Sequence, residues 1–191
     1  MNRPTDIEKD PAPARRRLLD TATRLFYAEG IRAVGIDRII AEAGVAKATF
    51  YNHFPSKDDL VVAYLEEQDR FGRTAVAALP KQSPREMIAA VLGRIGEAAV
   101  GGGYRGCPFL NAAAEYPDAS SPVRRAVDAR RVWYHGVLRD LLAADGDPAP
   151  DVTASLLVAL SDGLLEIAYL DDPGTVPGLV REALTRLLPR R

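Results

Sequence analysis

The chain has 191 residues, of which 47% are hydrophobic and 27% charged, and its formal net charge is −1. This composition is sufficient for a folded core in one domain or in two small ones. The near-zero net charge gives no sign of a generally basic nucleic-acid binder, so any DNA-binding surface must be local.

The single cysteine, Cys107, cannot form an internal disulfide, which indicates a reducing compartment such as the cytosol. No apolar run reaches the ~18 residues typical of a membrane span. The N-terminus has no apolar stretch like that of a signal peptide. Residues 1–14 are rich in proline and charge and are expected to form a disordered tail. We therefore expect a cytoplasmic protein without a membrane partner.

Apolar residues recur at helical spacing almost throughout, which predicts an all-α fold. The first helix is expected from about Ala12 to Glu29, with Gly30 ending it. Two short helices are predicted next, over Ile36 to Ala43 and Lys47 to His53, with Gly44 in the turn between them. The residues expected to face inward are Leu18, Ala22, Leu25 and Phe26 on the first helix and Ile36, Ile39, Ile40 and Ala43 on the second.

A long fourth helix is predicted from about Ser56 to Leu79, with Ser56 as its N-cap and Asp59 in its first turn. Five more helices follow, separated by clusters of Gly, Pro, Asp or Ser. Their expected ranges are 84–100, 107–116, 121–144, 151–170 and 176–188. The pattern predicts a three-helix head over residues 15–58 and a larger helical bundle over residues 59–191.

Two short helices joined by a glycine-containing turn form a helix-turn-helix arrangement. At ~100° per residue, Ala46, Phe50 and Phe54 share one face of the third helix, which would pack inward. Ala48 and Asn52 point the opposite way. An asparagine can bond adenine with two hydrogen bonds, and small methyl groups can contact thymine in the major groove.

The polar residues around this outward face suit the DNA backbone. Lys47, Tyr51, His53 and Lys57 can reach phosphates, with Lys47 and His53 expected near the buried edge of the helix. The N-terminal amides of the fourth helix could also meet a phosphate. The alternative is an amphipathic core helix whose tyrosine and histidine satisfy local hydrogen bonds.

The segment from about Arg17 to Leu65 resembles the DNA-binding domain of the TetR family of bacterial transcriptional regulators. The resemblance is carried by LLDTATRLFYAEG, IDRIIAEAGVAKATFYNHF and PSKDDLVVAYL. It implies an all-α homodimer with a DNA-binding head and a body that binds a small-molecule effector and dimerises. The residues at the family's DNA-contacting places are Lys47, Ala48, Thr49, Tyr51, Asn52, His53 and Lys57.

The start of the second helix departs from the family pattern, which often has Ser or Thr there. Here Gly35 can cap only moderately, although its amide could still bond a phosphate. Asp37 suits the helix dipole but repels DNA, so no base contact is expected from this helix. The three arginines at residues 15–17 either contact phosphates instead or form a solvated charge run.

The body is expected to hold an effector in a mostly apolar pocket between bundle helices. The candidate lining residues are Phe109, Asn111, Trp133, Asp162, Glu166 and Tyr169. The alternative for the aromatic residues is an ordinary core position, and for the acidic ones a solvated or subunit-interface position. Ala159 and Gly163 allow close helix approach in the last two helices, where the family usually dimerises.

No metal, cofactor or catalytic site is expected. His53 and His135 lie far apart and do not cluster with Cys107 at a ligand spacing. No recognisable catalytic motif includes the pair Asp162 and Glu166 or the pair Cys107 and His135. Cys107 could sense oxidants, with Arg105 lowering its pKa, but no resolving cysteine exists and a buried thiol is the commoner case.

The expected function is therefore a ligand-responsive transcriptional regulator. It would act as a repressor that binds a pseudo-palindromic operator as a homodimer and is released by a small molecule. The alternative is an architectural DNA-binding protein without effector control. That alternative predicts little sequence preference and a steep salt dependence.

Overall fold

A computed structural model describes residues 11–99 and 103–188, and all regular elements in these ranges are helical. The predicted all-α fold is confirmed. The helices are α1 (Pro11–Glu29), α2 (Ile36–Ala43), α3 (Lys47–His53), α4 (Lys57–Ala77), α5 (Pro84–Ala99), α6 (Pro108–Glu115), α7 (Pro122–Ala144), α8 (Pro150–Leu170) and α9 (Val176–Leu187), with a short 3-10 turn at Pro173–Thr175 before α9.

Of the predicted disordered tail, residues 1–14, the structure describes only residues 11–14. Residues 11–14 belong to α1, and Ala14 is buried, so the helix begins earlier than the end of the predicted tail. Residues 1–10 lie outside the described residues, as do residues 101 and 102 of the predicted glycine break. A proline at position 11 is compatible with a helix start because the first helical amide needs no partner.

The chain divides into two compact units, with the boundary between Glu66 and Glu67 inside α4. We call the first unit the head and the second the body. In the head, the inward face predicted for α1 is buried, and Phe26 packs edge-on against Tyr64 at 5.8 Å. On α2, Ile39 and Ala43 are buried, whereas Ile36 and Ile40 are only half-buried.

The turns of the head follow the predicted chemistry. Gly44 has φ +62°, the left-handed conformation that favours glycine, and it ends α2 with its amide donating to the Ala41 carbonyl at 3.2 Å. Before α4, the Ser56 amide donates to Asp59 Oδ2 at 2.9 Å, and the Asp59 amide donates to Ser56 Oγ at 3.2 Å. This reciprocal capping confirms the predicted start of α4.

The body is a helical bundle in which α5, α7, α8 and α9 pack together. Its core includes Leu92 on α5, Leu138 on α7, Leu157 on α8 and Val180 on α9. Ser121 caps α7 by accepting a hydrogen bond from the Arg124 amide at 3.1 Å. Asp69 of α4 and Phe109 of α6 both lie against Arg130 in the middle of α7.

Helix α8 contains a long apolar stretch, although no apolar run of ~18 residues was expected from the sequence. By length and composition alone it could cross a membrane, and its most apolar window has mean hydropathy 1.5. Within the body, however, one face of α8 packs on the core, and its Asp162 is ion-paired with Arg131 of α7. The high hydropathy therefore reflects a second apolar face, which remains exposed.

Candidate nucleic-acid interface and effector region

Two buried phenylalanines fix the orientation of α3. Phe50 and Phe54 are almost fully buried, and the Phe54 amide donates to the Phe50 carbonyl at 2.8 Å. The ring of Phe50 also packs edge-on against Tyr51, with centroids 5.1 Å apart. The prediction for Ala46 is wrong: this residue is the N-cap of α3 and is exposed, because the chain enters the helix from an extended conformation.

The opposite face of α3 is open to solvent, as the helical spacing predicts. Ala48 and Asn52 are exposed, Tyr51 is 44% exposed, and Thr49 and His53 are half-buried. The helix therefore presents a small residue, an amide and a phenol on one surface. These are groups that can read base edges and bond phosphates. Contact between these residues and DNA remains a prediction.

Lys47 does not lie at the buried edge of α3, which corrects the prediction for it. Its side chain is 64% exposed, and its Nζ donates to Asp37 Oδ1 of α2 at 3.0 Å. This hydrogen bond raises the pKa of Lys47. A phosphate that binds Lys47 must therefore compete with Asp37, which is itself 83% exposed.

Gly35 and Lys57 lie at the N-termini of α2 and α4. Gly35 is the N-cap of α2 in an extended conformation, and a Cβ added to it would meet nothing within 4 Å. The space around Gly35 would therefore accommodate a larger residue at this position. The Lys57 ammonium lies 5.9 Å from the centroid of the Phe26 ring, which holds its stem against the head.

The arginines of residues 15–17 have partners inside the head. Arg15 lies 5.1 Å from the Phe54 ring centroid, and Arg16 forms an ion pair with Asp20. Arg17 Nε donates to the carbonyl of Ala43 at 3.2 Å and so satisfies the last turn of α2. These contacts favour a structural role for Arg17 over the phosphate contact considered from the sequence.

A network of exposed ion pairs joins α1 to α2. Arg38 donates to Glu29 at 2.8 Å and to Glu42 at 2.9 Å, and Arg24 pairs with Glu42 at 2.5 Å. Hydrogen bonding by Arg38 lowers the pKa of Glu29, and hydrogen bonding by Arg24 lowers that of Glu42. The sequence analysis did not identify this network, because the pairs that join α1 to α2 are 9 and 18 residues apart in sequence.

In the body, Arg130 of α7 is the centre of a cluster of charged and aromatic side chains. Its guanidinium carbon lies 4.4 Å from the Trp133 ring centroid, 5.6 Å from that of Tyr134 and 5.7 Å from that of Phe109. Its Nη1 donates to Asp69 of α4 at 3.2 Å. Sequence analysis missed Arg130 and Asp69, although the run ARRVWYH, residues 129–135, joins arginine to aromatics.

The predicted effector residues fall into different surroundings. Phe109 and Trp133 belong to the Arg130 cluster, and Asp162 is held by Arg131 through hydrogen bonds of 2.9 and 3.2 Å. The Asn111 side chain donates to the Arg105 carbonyl at 2.8 Å. The two remaining residues, both exposed on α8, are Glu166 and Tyr169. The structure therefore brings two of the six together around one cation.

Cys107 is half-buried at the N-cap of α6, and desolvation raises the pKa of its thiol. This direction is opposite to that needed for an easily oxidised thiolate, so the predicted effect of Arg105 is not what governs the thiol. Within residues 11–99 and 103–188, no three His, Cys, Asp or Glu side chains come together as a potential metal site.

Comparison with known proteins places these features in a family. Residues 18–64 match the model for bacterial regulatory proteins of the tetR family. A TetR-family transcriptional regulator from Streptomyces coelicolor is 45% identical, with 93% of this chain and 95% of that one covered and a TM-score of 0.88. A TetR-type regulator from Streptomyces avermitilis is 32% identical, with coverage of 92% and 96% and a TM-score of 0.82.

A curated relative agrees over a shorter span. The HTH-type transcriptional regulator LmrA of Bacillus subtilis is 31% identical over 125 residues, which are 63% of this chain and 66% of LmrA. Fold and sequence together define a helix-turn-helix DNA-binding protein with a helical body. The chain belongs to the TetR family of bacterial transcriptional regulators.

Proposed function

We propose that this regulator is a cytoplasmic repressor that binds a pseudo-palindromic operator as a homodimer and is released by a small-molecule effector. The observation that carries the proposal is the exposed face of α3, where Ala48, Tyr51 and Asn52 lie opposite the buried anchors Phe50 and Phe54. Such a face fits the major groove, with Asn52 on a base edge and Tyr51 on the backbone.

The exposed side of α8 supports dimerisation. Val152 is 63% exposed, Leu156 52% and Leu170 71%, and exposed Ala159 and Gly163 lie between them at helical spacing. An exposed, largely apolar strip of this kind, which also carries Glu166, marks an interaction surface. A second copy of the chain supplies a self-complementary one, because an isologous interface pairs the same surface on both subunits.

Two heads related by such an interface would read two half-sites on one face of the duplex, roughly 34–36 Å or a multiple apart. An effector that binds more tightly to a conformer whose head spacing does not match the half-sites would weaken DNA binding. By linkage, DNA would weaken effector binding by the same factor. The near-neutral charge of the chain favours a sequence-specific regulator over an architectural DNA-binding protein.

The test is selection of duplexes from a random library by the purified protein at near-physiological salt. The expected result is enrichment of one site with two-fold symmetry by the wild type, and loss of that enrichment by Asn52→Ala. A matched control is Gln82→Ala, which removes an exposed side-chain amide of the body. Strong, salt-sensitive binding without an enriched site would instead support the architectural alternative.

A further inference from the structure

The Arg130 cluster carries more positive charge than its partners neutralise. Asp69 is the carboxylate of the described body that pairs with Arg130, at 3.2 Å, and it also accepts from Arg73 Nε at 2.6 Å. Two guanidinium groups therefore share one carboxylate. Asp162 does not supply a second counterion, because it is already paired with the neighbouring Arg131.

Among the described residues of the cluster, neither Tyr134 nor Cys107 supplies the missing charge. Burial raises the pKa of Tyr134, and its hydroxyl is hydrogen-bonded to Ser161 Oγ at 3.0 Å, so the phenol is neutral. Burial likewise keeps the Cys107 thiol protonated at neutral pH. A guanidinium cannot escape by losing its proton. Arg130 is only 20% exposed and therefore remains a charged group in a poorly solvated place.

The hydrogen bonds of Arg130 use only part of its donor capacity. Among the residues that the structure describes, its guanidinium donates one hydrogen bond, to Asp69, although it has five N–H groups. Its other close neighbours are the rings of Trp133, Tyr134 and Phe109, which stack but accept no strong hydrogen bond. Gly72 leaves room for it, since a Cβ there would lie 3.1 Å from Nη2.

We propose that the Arg130 cluster is an effector site for a small aromatic carboxylate. A planar carboxylate matches the guanidinium fork and supplies the missing negative charge. The aromatic body of the ligand would stack on Trp133 and its neighbouring rings. Asp69 then acts as an internal competitor that occupies Arg130 when the ligand is absent. This inference rests on the proposed effector response, but binding of the acid can be measured without DNA.

The experiment uses matched acid and amide pairs: benzoate with benzamide, phenylacetate with phenylacetamide, and naphthoate with naphthamide. Binding to the full chain is measured by calorimetry and by fluorescence of Trp133, which is the sole tryptophan. At least one acid is expected to bind about tenfold or more tightly than its amide, since a carboxylate forms charge-assisted hydrogen bonds with the guanidinium and the neutral amide does not.

Two substitutions in the cluster should have opposite effects. Arg130→Gln is expected to abolish the preference for the acid over the amide. Asp69→Asn is expected to tighten binding of the acid several-fold, because it removes the competing carboxylate. The matched control is Arg139→Gln, an exposed arginine of the same helix, which should change neither affinity.

The proposal is overturned if no acid binds better than its amide at millimolar concentration, or if Asp69→Asn weakens acid binding as Arg130→Gln does. The latter result would show a purely structural network. Acid that binds without changing affinity for the selected duplex would remove the effector role while leaving DNA recognition intact. Loss of duplex selection with normal acid binding would instead contradict the proposed function alone.

Discussion

At the scale of single residues, the ion pair between Lys47 and Asp37 is the feature that bears most directly on the proposed DNA contacts. Lys47 lies on α3 with the exposed groups, and Asp37 lies on α2 with its carboxylate 3.0 Å away. The aspartate favours the N-terminus of α2, yet it repels phosphate and occupies the lysine. The same carboxylate thus stabilises the head and weakens the attraction of this surface for DNA.

Asp37→Asn is therefore predicted to tighten binding to the selected duplex several-fold. Because Lys47 becomes free to pair with a phosphate, the slope of log affinity against log salt should steepen by about one unit. The head should at the same time lose roughly 0.3–1 kcal/mol of stability at low salt. Fluorescence anisotropy over a salt series and thermal unfolding measure the two effects.

The control for this substitution is Asp140→Asn, which removes an exposed, ion-paired aspartate of the body. It should leave both affinity and salt slope unchanged. Unaltered or weaker DNA binding by Asp37→Asn would show that Lys47 does not contact phosphate.

Helical spacing predicted most of the residue placements in the head. It identified the buried face of α1, the exposed Asn52 and the glycine turn at residue 44, because these follow from local geometry. It failed for Ala46 and Lys47, which lie at the first turn of α3. A helical wheel does not apply where the chain enters a helix in an extended conformation.

At the scale of secondary-structure elements, the ion pairs between α1 and α2 support the helix that carries Asp37. The lowered pKa values of Glu29 and Glu42 mean that the folded state holds these carboxylates more strongly ionised than the unfolded chain does. Their stabilising contribution is therefore present above the unfolded-state pKa of ~4.3. It is lost as the pH falls through the lower folded-state values.

The prediction is that Arg38→Gln lowers the thermal stability of the protein at pH 7 and that this difference from wild type shrinks below about pH 4. Circular dichroism melts at several pH values measure it. Arg139→Gln, whose arginine pairs with its sequence neighbour Asp140, should show little change at any of these pH values. A difference between Arg38→Gln and wild type that stays constant down to pH 3 would contradict this role of the network.

Element boundaries were largely predictable because Pro, Gly and Ser punctuate the chain. Predicted and observed helices agree to within two residues for α2 to α9. The Arg130 cluster was not predictable, because it depends on α4, α6 and α7 meeting around one side chain. Periodicity finds the face of a helix that is buried, but it does not identify which polar residues meet across helices.

At the scale of the whole molecule, the exposed face of α8 is the strongest sign of assembly. Leu156→Glu is predicted to convert the proposed dimer to a folded monomer, because Leu156 is 52% exposed and contributes little to the core. Sedimentation measures the mass, and circular dichroism checks the helical content. The matched control is Phe71→Glu, an equally drastic change at a 70% exposed residue of α4.

A Leu156→Glu protein that stays dimeric while folded would place the dimer interface elsewhere. The same prediction links assembly to DNA binding. A monomer has one α3 and should retain only weak binding to a single half-site, since it loses the effective concentration that the second head provides.

The measurement that tests the account most directly is titration of the wild-type protein against two duplexes, one with the complete selected site and one with a half-site scrambled. We predict that two chains bind the complete site and that scrambling one half weakens binding about a hundredfold or more, as expected when the second contact becomes intramolecular. Equal affinity for both duplexes, with one chain saturating each, would contradict a dimeric reader with two α3 helices in successive grooves.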